Sequence, residues 1–110
     1  MSNPRYRNGH RRREVQAYYR ARRADCYICG RPIDYGLRPP DPWSFVIDET
    51  VAIANGGRVC RANSGPAHRW CNAVKGTHTL EWARAEVKRR LAGGQPAAAS
   101  KPRDFEAADW

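Results

Sequence analysis

Four side chains carry the clearest chemistry in this sequence. Cys26 and Cys29 stand in a Cys-x2-Cys pair (CYICG), and His68 and Cys71 stand in a His-x2-Cys pair (HRWC). Two such pairs, each presented by a tight backbone turn, are the ligand spacing of a tetrahedral zinc site. With every position a thiolate or imidazole, such a site is closed and structural. Cys60 is the other candidate for the fourth place. It has no partner two residues away and falls in an expected strand, so His68 is the preferred ligand. Bound zinc contributes about 10 kcal/mol or more of folding free energy in small zinc domains. This chain needs such a staple, because its 110 residues are poor in Leu and Ile and bury a thin core.

The charge is large and unevenly placed. The net value is +9, with an excess of six positive charges over residues 1–25 and four over 67–92, while 26–66 is neutral and 93–110 is −1. Two basic segments around a neutral, cysteine-bearing middle call for a polyanionic partner, the alternative being the basic bias of an Arg-rich, Ala-rich proteome. Arg11, Arg12, Arg13, Arg20, Arg22 and Arg23 are the expected phosphate contacts. No run is long and apolar enough to span a membrane, and the basic N-terminus leads into no apolar stretch. The expectation is a cytoplasmic protein with reduced thiols, no membrane partner and no small-molecule substrate.

The elements that must position these residues follow from local pattern. Residues 1–10 hold Pro, Gly and Asn and are expected to be unstructured. Residues 11–23 read as a helix with Val15, Tyr18, Tyr19 and Arg22 at helical spacing. Residues 24–42 read as a knuckle and loop, and 43–48 (WSFVID) as a short strand. Asn55-Gly56-Gly57 is a turn signal, after which 58–60 is expected to return as a second strand. Asn63-Ser64-Gly65-Pro66 reads as a cap before an early helical Pro. The helix would then run over 66–75 and stop at Gly76. A further helix is expected over Leu80–Leu91, and 93–110 as a flexible tail. The division is a basic arm (1–23), a zinc-bound domain (24–92) and the tail.

Taken in order, CYICG, FVID ending at Asp48, Gly56-Gly57, Asn63, Pro66-Ala67-His68, Cys71-Asn72 and Lys75-Gly76 resemble the HNH endonucleases. The likeness is to the short phage or prophage type found near packaging terminase genes, and it covers about residues 26–76. It implies a small α+β fold: a zinc-knuckle-stapled ββα-metal core with flanking N- and C-terminal helices. It implies a DNA endonuclease, a terminase large subunit as partner, and a catalytic Mg²⁺ or Mn²⁺ held by Asp48 and Asn72. By the same likeness Asn63 ties the loop to the strand, and Lys75 is a further DNA contact.

One position departs from the family. The usual Asp-His is Asp48-Glu49, so the customary base is absent and Glu49 stands in its place. A free Glu has a pKa of about 4.3 against about 6.5 for His, so it is available at neutral pH but is the weaker base. Glu49 either activates water or ligates the metal. The rival readings of the same residues are a non-catalytic zinc module that binds DNA or recruits a terminase, and a single-strand or RNA-binding zinc ribbon. His10 and His78 are expected to be solvent-facing, Trp70 to pack against the last helix, and Trp43 to cover the knuckle.

Overall fold

The computed structural model describes residues 4–94. Helix α1 spans Pro4–Arg22, strand β1 Phe45–Glu49, strand β2 Ser64–His68, helix α2 Arg69–Lys75 and helix α3 Leu80–Ala92. Two short 3-10 turns, Ile53–Asn55 and Arg61–Asn63, lie between the strands. β1 and β2 form a two-stranded antiparallel sheet, with Phe45 opposite His68 and Glu49 opposite Ser64. The fold is therefore small α+β, with a strand–strand–helix order through its middle. The expected flexible tail lies almost wholly outside the described residues.

Three expectations need correction. Residues 4–10 are helical, so α1 begins well before residue 11. The returning strand is Ser64–His68, not 58–60, and Val59 is buried without belonging to a strand. The helix expected from Pro66 starts at Arg69. The cause of the last two is one contact. Tyr27 lies across Gly65 so closely that an added Cβ would stand 2.2 Å from its ring, and the Tyr27 amide donates to the Pro66 carbonyl at 2.8 Å. Docking of the knuckle draws 64–68 out into a strand, and this tertiary contact overrides the local cap-and-proline signal.

α2 starts without a side-chain cap on its first residues. Instead the Arg69 and Trp70 amides donate to the carbonyls of Ser44 and Pro42 at 2.8 and 2.7 Å, so the loop before β1 satisfies donors a helix start leaves open. α3 has an ordinary cap, with Thr79 accepting from the Trp82 amide. Its buried stripe is Ala83 and Val87, each 0% exposed. The core gathers these with Ile28, Ile33, Phe45, Ala67 and the knuckle sulfurs. α1 docks by Val15 and by the Tyr19 hydroxyl, which donates to the Ser64 carbonyl at 3.2 Å.

Candidate functional site

The knuckle is built by backbone. The Gly30 amide donates to the Cys26 carbonyl at 2.8 Å, and the Cys29 amide faces the Cys26 sulfur at 3.4 Å. Gly30 sits at φ +81°, the left-handed turn that CYICG anticipates. The second pair straddles an element boundary: His68 ends β2 and Cys71 lies in the first turn of α2. The strand-to-helix bend brings both donors to the knuckle. The donor atoms of Cys26, Cys29, His68 and Cys71 all lie within 4.8 Å of one another. A zinc tetrahedron with ordinary bond lengths has edges of about 3.4–3.8 Å, so a small contraction closes the set. Cys60 is outside it.

The imidazole is oriented for this task. His68 Nδ1 lies 3.4 Å from the Cys29 sulfur and 3.8 Å from that of Cys71, while Nε2 donates to the Pro32 carbonyl at 3.1 Å. An outer hydrogen bond of this kind fixes the tautomer that presents the other nitrogen to a metal. Trp43 is fully buried and stands edge-on to His68 at 5.1 Å, so it covers the centre as expected. Burial pushes His68 down, but hydrogen bonds from the protonated ring to the Cys26 and Cys29 sulfurs outweigh it and leave it at about 9. Hydrogen bonds from Cys29 and Cys71 hold Cys26 far below the usual thiol range. The same contacts push Cys71 up, so Cys26 is the sulfur that holds the charge among them; the Cys₃His donor set itself fits Zn²⁺.

The other residues singled out from sequence lie around the end of β1. Asp48 is 4% exposed. It accepts a hydrogen bond from the Tyr27 hydroxyl, and Lys75 Nζ lies 3.3 and 3.4 Å from its two oxygens. Lys75 itself is 0% exposed and also donates to the Glu49 carbonyl at 3.1 Å. Its expected role as a DNA contact is corrected: a fully buried ammonium does not reach a phosphate. Burial raises the pKa of Asp48, against the lowering pull of Tyr27 and Lys75. As it stands this carboxylate does not fit a divalent ion, because its oxygens are already engaged and a cation fills the place beside it. Asn72 sits half-buried in α2. Among the described residues, the zinc set is the grouping of His, Cys, Asp or Glu close enough to hold a metal.

The Glu49 side chain is largely covered, 15% exposed. Its Oε1 lies 3.6 Å from an Arg12 nitrogen, and its Oε2 is buried without a hydrogen-bond partner. Asn63 anchors the loop beyond it. The Asn63 Oδ1 accepts from the Val51 amide, and its Nδ2 donates to the carbonyls of Val51 and Arg58, each at 2.9 Å. The Thr50 amide donates to the Asn63 carbonyl at 3.0 Å. Asn63 therefore ties the loop after Glu49 to the start of β2. Arg11, Arg13, Arg20, Arg22 and Arg23 are exposed along α1 and its end, and Arg12 is 42% exposed. Arg20 donates to the Tyr35 carbonyl and lies over Phe45, so it braces α1. His10 and His78 are both exposed, and His78 stacks on Trp82 at 3.9 Å.

Sequence reasoning missed Tyr27. The x positions of a Cys-x2-Cys knuckle carry no pattern of their own, yet Tyr27 links the knuckle to Asp48. The one signal was Gly65, a glycine inside a strand, which marks a close approach. No family model, curated protein or solved structure matches this chain. No described helix is long and apolar enough to cross a membrane.

Proposed function

We propose that this chain is a zinc-stapled endonuclease of the HNH type that hydrolyses phosphodiester bonds of DNA, with Glu49 as the proton acceptor. The observation that carries the reading is the Glu49 carboxylate. It sits at the end of β1 beside an arginine of the basic helix, with a buried oxygen lacking a partner. A water reaching the Oε1 side, beside Arg12, would meet an acceptor for its proton, and Arg12 would hold the phosphate it attacks. Asn63 keeps the loop behind Glu49 fixed. The zinc centre supplies folding, not chemistry. No step is routed through a metal at Asp48, where Lys75 stands. Mg²⁺ and Mn²⁺ remain part of the test because the family resemblance implies them, and the terminase partnership rests on that resemblance alone.

The buried Asp48–Lys75 pair favours a second reading, a DNA-binding zinc module without catalysis. Plasmid cleavage separates the two. The zinc-loaded protein is incubated with supercoiled DNA with no added metal, with Mg²⁺ and with Mn²⁺. Under at least one condition the native protein nicks or cuts, and Glu49→Gln is slower by about 10²–10⁴-fold, with zinc content and DNA affinity unchanged. Equal rates for native and Glu49→Gln remove Glu49 from the chemistry. Binding without cleavage under all conditions leaves the zinc module.

A further inference from the structure

A cavity of about 460 Å³ opens between α1 and the segment before β2. That volume lies in the range of about 300–1,000 Å³ common for small-ligand sites. Its floor is apolar, Val15 and Val59 being 6% and 4% exposed. Tyr18 forms a wall, and Arg11, Glu14 and Arg61 stand around it. The Arg61 guanidinium lies over the Tyr18 ring, 4.3 Å from its centroid. The Arg22 guanidinium lies over the same ring at 3.6 Å, so the ring already holds flat cations.

The walls are fixed from both sides. Arg11, Glu14, Val15 and Tyr18 share one face of α1 by their spacing of three and four. The opposite wall is tied down where Asn63 donates to the Arg58 carbonyl at 2.9 Å and the Ser64 hydroxyl donates to the Cys60 carbonyl. Arg12, the next residue along the helix from Arg11, reaches Glu49. The groove and the carboxylate therefore flank the same turn of α1.

We propose that this groove binds one nucleotide of a single strand. Its base lies on Tyr18 above the valine floor, and its phosphate is held by Arg11 and Arg61. The inference rests on the nucleic-acid reading of the protein and adds a substrate subsite to it. An apolar floor with an aromatic face takes a flat heteroaromatic ring. Arginine at the rim takes phosphate, and Glu14 offers an acceptor to an exocyclic amine. A bare phosphate has no use for the valines, and a paired base hides its face in the stack. When the base enters, Arg61 leaves the ring and turns to the phosphate.

The test uses the zinc-loaded full chain without added divalent metal, so no cleavage is needed. Fluorescence anisotropy compares a short labelled deoxyoligonucleotide with an abasic strand of the same length. The native protein prefers the base-bearing strand by about tenfold, in the range of one base stacked on an aromatic side chain. Tyr18→Ala abolishes that preference and Tyr18→Phe keeps it. Cys60 also lines the groove while the other cysteines belong to the zinc set, so maleimide alkylation of Cys60 is a second readout. The base-bearing strand slows it and the abasic strand does not. Equal affinity of the native protein for both strands overturns the proposal, as does binding of neither strand. If Tyr18→Ala does not fold, protection of Cys60 in the native protein decides. A protein that cuts no plasmid yet shows the preference keeps the groove, while one that cuts and shows none loses only the groove.

Discussion

Lys75 lies where water does not reach, and its ammonium is stable there only because Asp48 and the Glu49 carbonyl surround it. Breaking a buried ion pair by removing one partner typically costs about 3–5 kcal/mol, since the remaining charge is left without compensation. Lys75→Met is therefore expected to lower the unfolding free energy of the zinc-loaded protein, read from urea titration, by an amount of that order. Adding Asp48→Asn to Lys75→Met is expected to recover part of the loss, because the uncompensated charge is gone. A Lys75→Met protein within about 1 kcal/mol of native would mean that the pair does not hold the end of β1. Glu49 tests the neighbouring chemistry. Glu49→His restores an imidazole base in the same place, so its cleavage rate is expected to stay within about tenfold of native, whereas Glu49→Ala falls by the ~10²–10⁴-fold of a lost base. A His variant as slow as the Ala variant would place the acceptor elsewhere.

At the scale of elements, the ligand pairs were legible because metal spacing is local. CYICG announces its own turn, and HRWC needs only a few residues of backbone to present two donors. α3 was legible too, since Ala83 and Val87 fall at helical spacing. β2 was not. Ser64, Gly65 and Pro66 carry cap and helix-start signals, and what makes them a strand is a tyrosine from the knuckle far back in sequence. The Asp48–Lys75 pair was hidden for the same reason: nothing in either neighbourhood says that the acid and the lysine are buried together. Gly65→Ala tests this coupling. The added methyl collides with the Tyr27 ring, and overpacking of this kind costs about 1–3 kcal/mol. It is expected to lower stability by that much and to shift Tyr27 off Asp48, read from the Tyr27 ring resonances. Unchanged stability would show that the knuckle and β2 adjust freely. The zinc set gives a sharper result. Cys26→Ser, Cys29→Ser, His68→Ala and Cys71→Ser are each expected to lose bound zinc and cooperative unfolding, while Cys60→Ser keeps about one zinc per chain by atomic absorption. Zinc loss in Cys60→Ser with retention in His68→Ala would reverse the ligand assignment.

Over the whole molecule, the net charge of +9 does not say which face meets a polyanion. Local pairing does. On α3, Glu86 pairs with Arg89 at 2.5 Å and with Arg90 at 2.7 Å. The two ion pairs partly neutralise that basic run, and hydrogen bonds from Arg89 and then Arg90 hold the Glu86 carboxyl down at about 2. On α1, Arg11 and Arg13 are exposed along the same helix that brings Arg12 to Glu49, and Arg23 is exposed just beyond its end. The first turn of α1 carries no acid, and the helix's one acid, Glu14, lies 3.7 Å from His10. Phosphate contact is therefore expected along α1. Each phosphate neutralised on duplex DNA adds about 0.9 to the slope of log K against log salt. Replacing Arg11, Arg13 and Arg23 together by Gln is expected to reduce that slope by about 2–3 and to weaken binding similarly for unrelated duplex sequences. Replacing Lys88, Arg89 and Arg90 together by Gln is expected to change it by less. Deleting the helix is the poorer test, because Val15 and Tyr19 anchor α1 to the rest of the fold, and its removal mixes lost charge with lost structure. The opposite order of slopes would move the nucleic-acid face to α3 and take Arg12, and with it the phosphate beside Glu49, out of the reading.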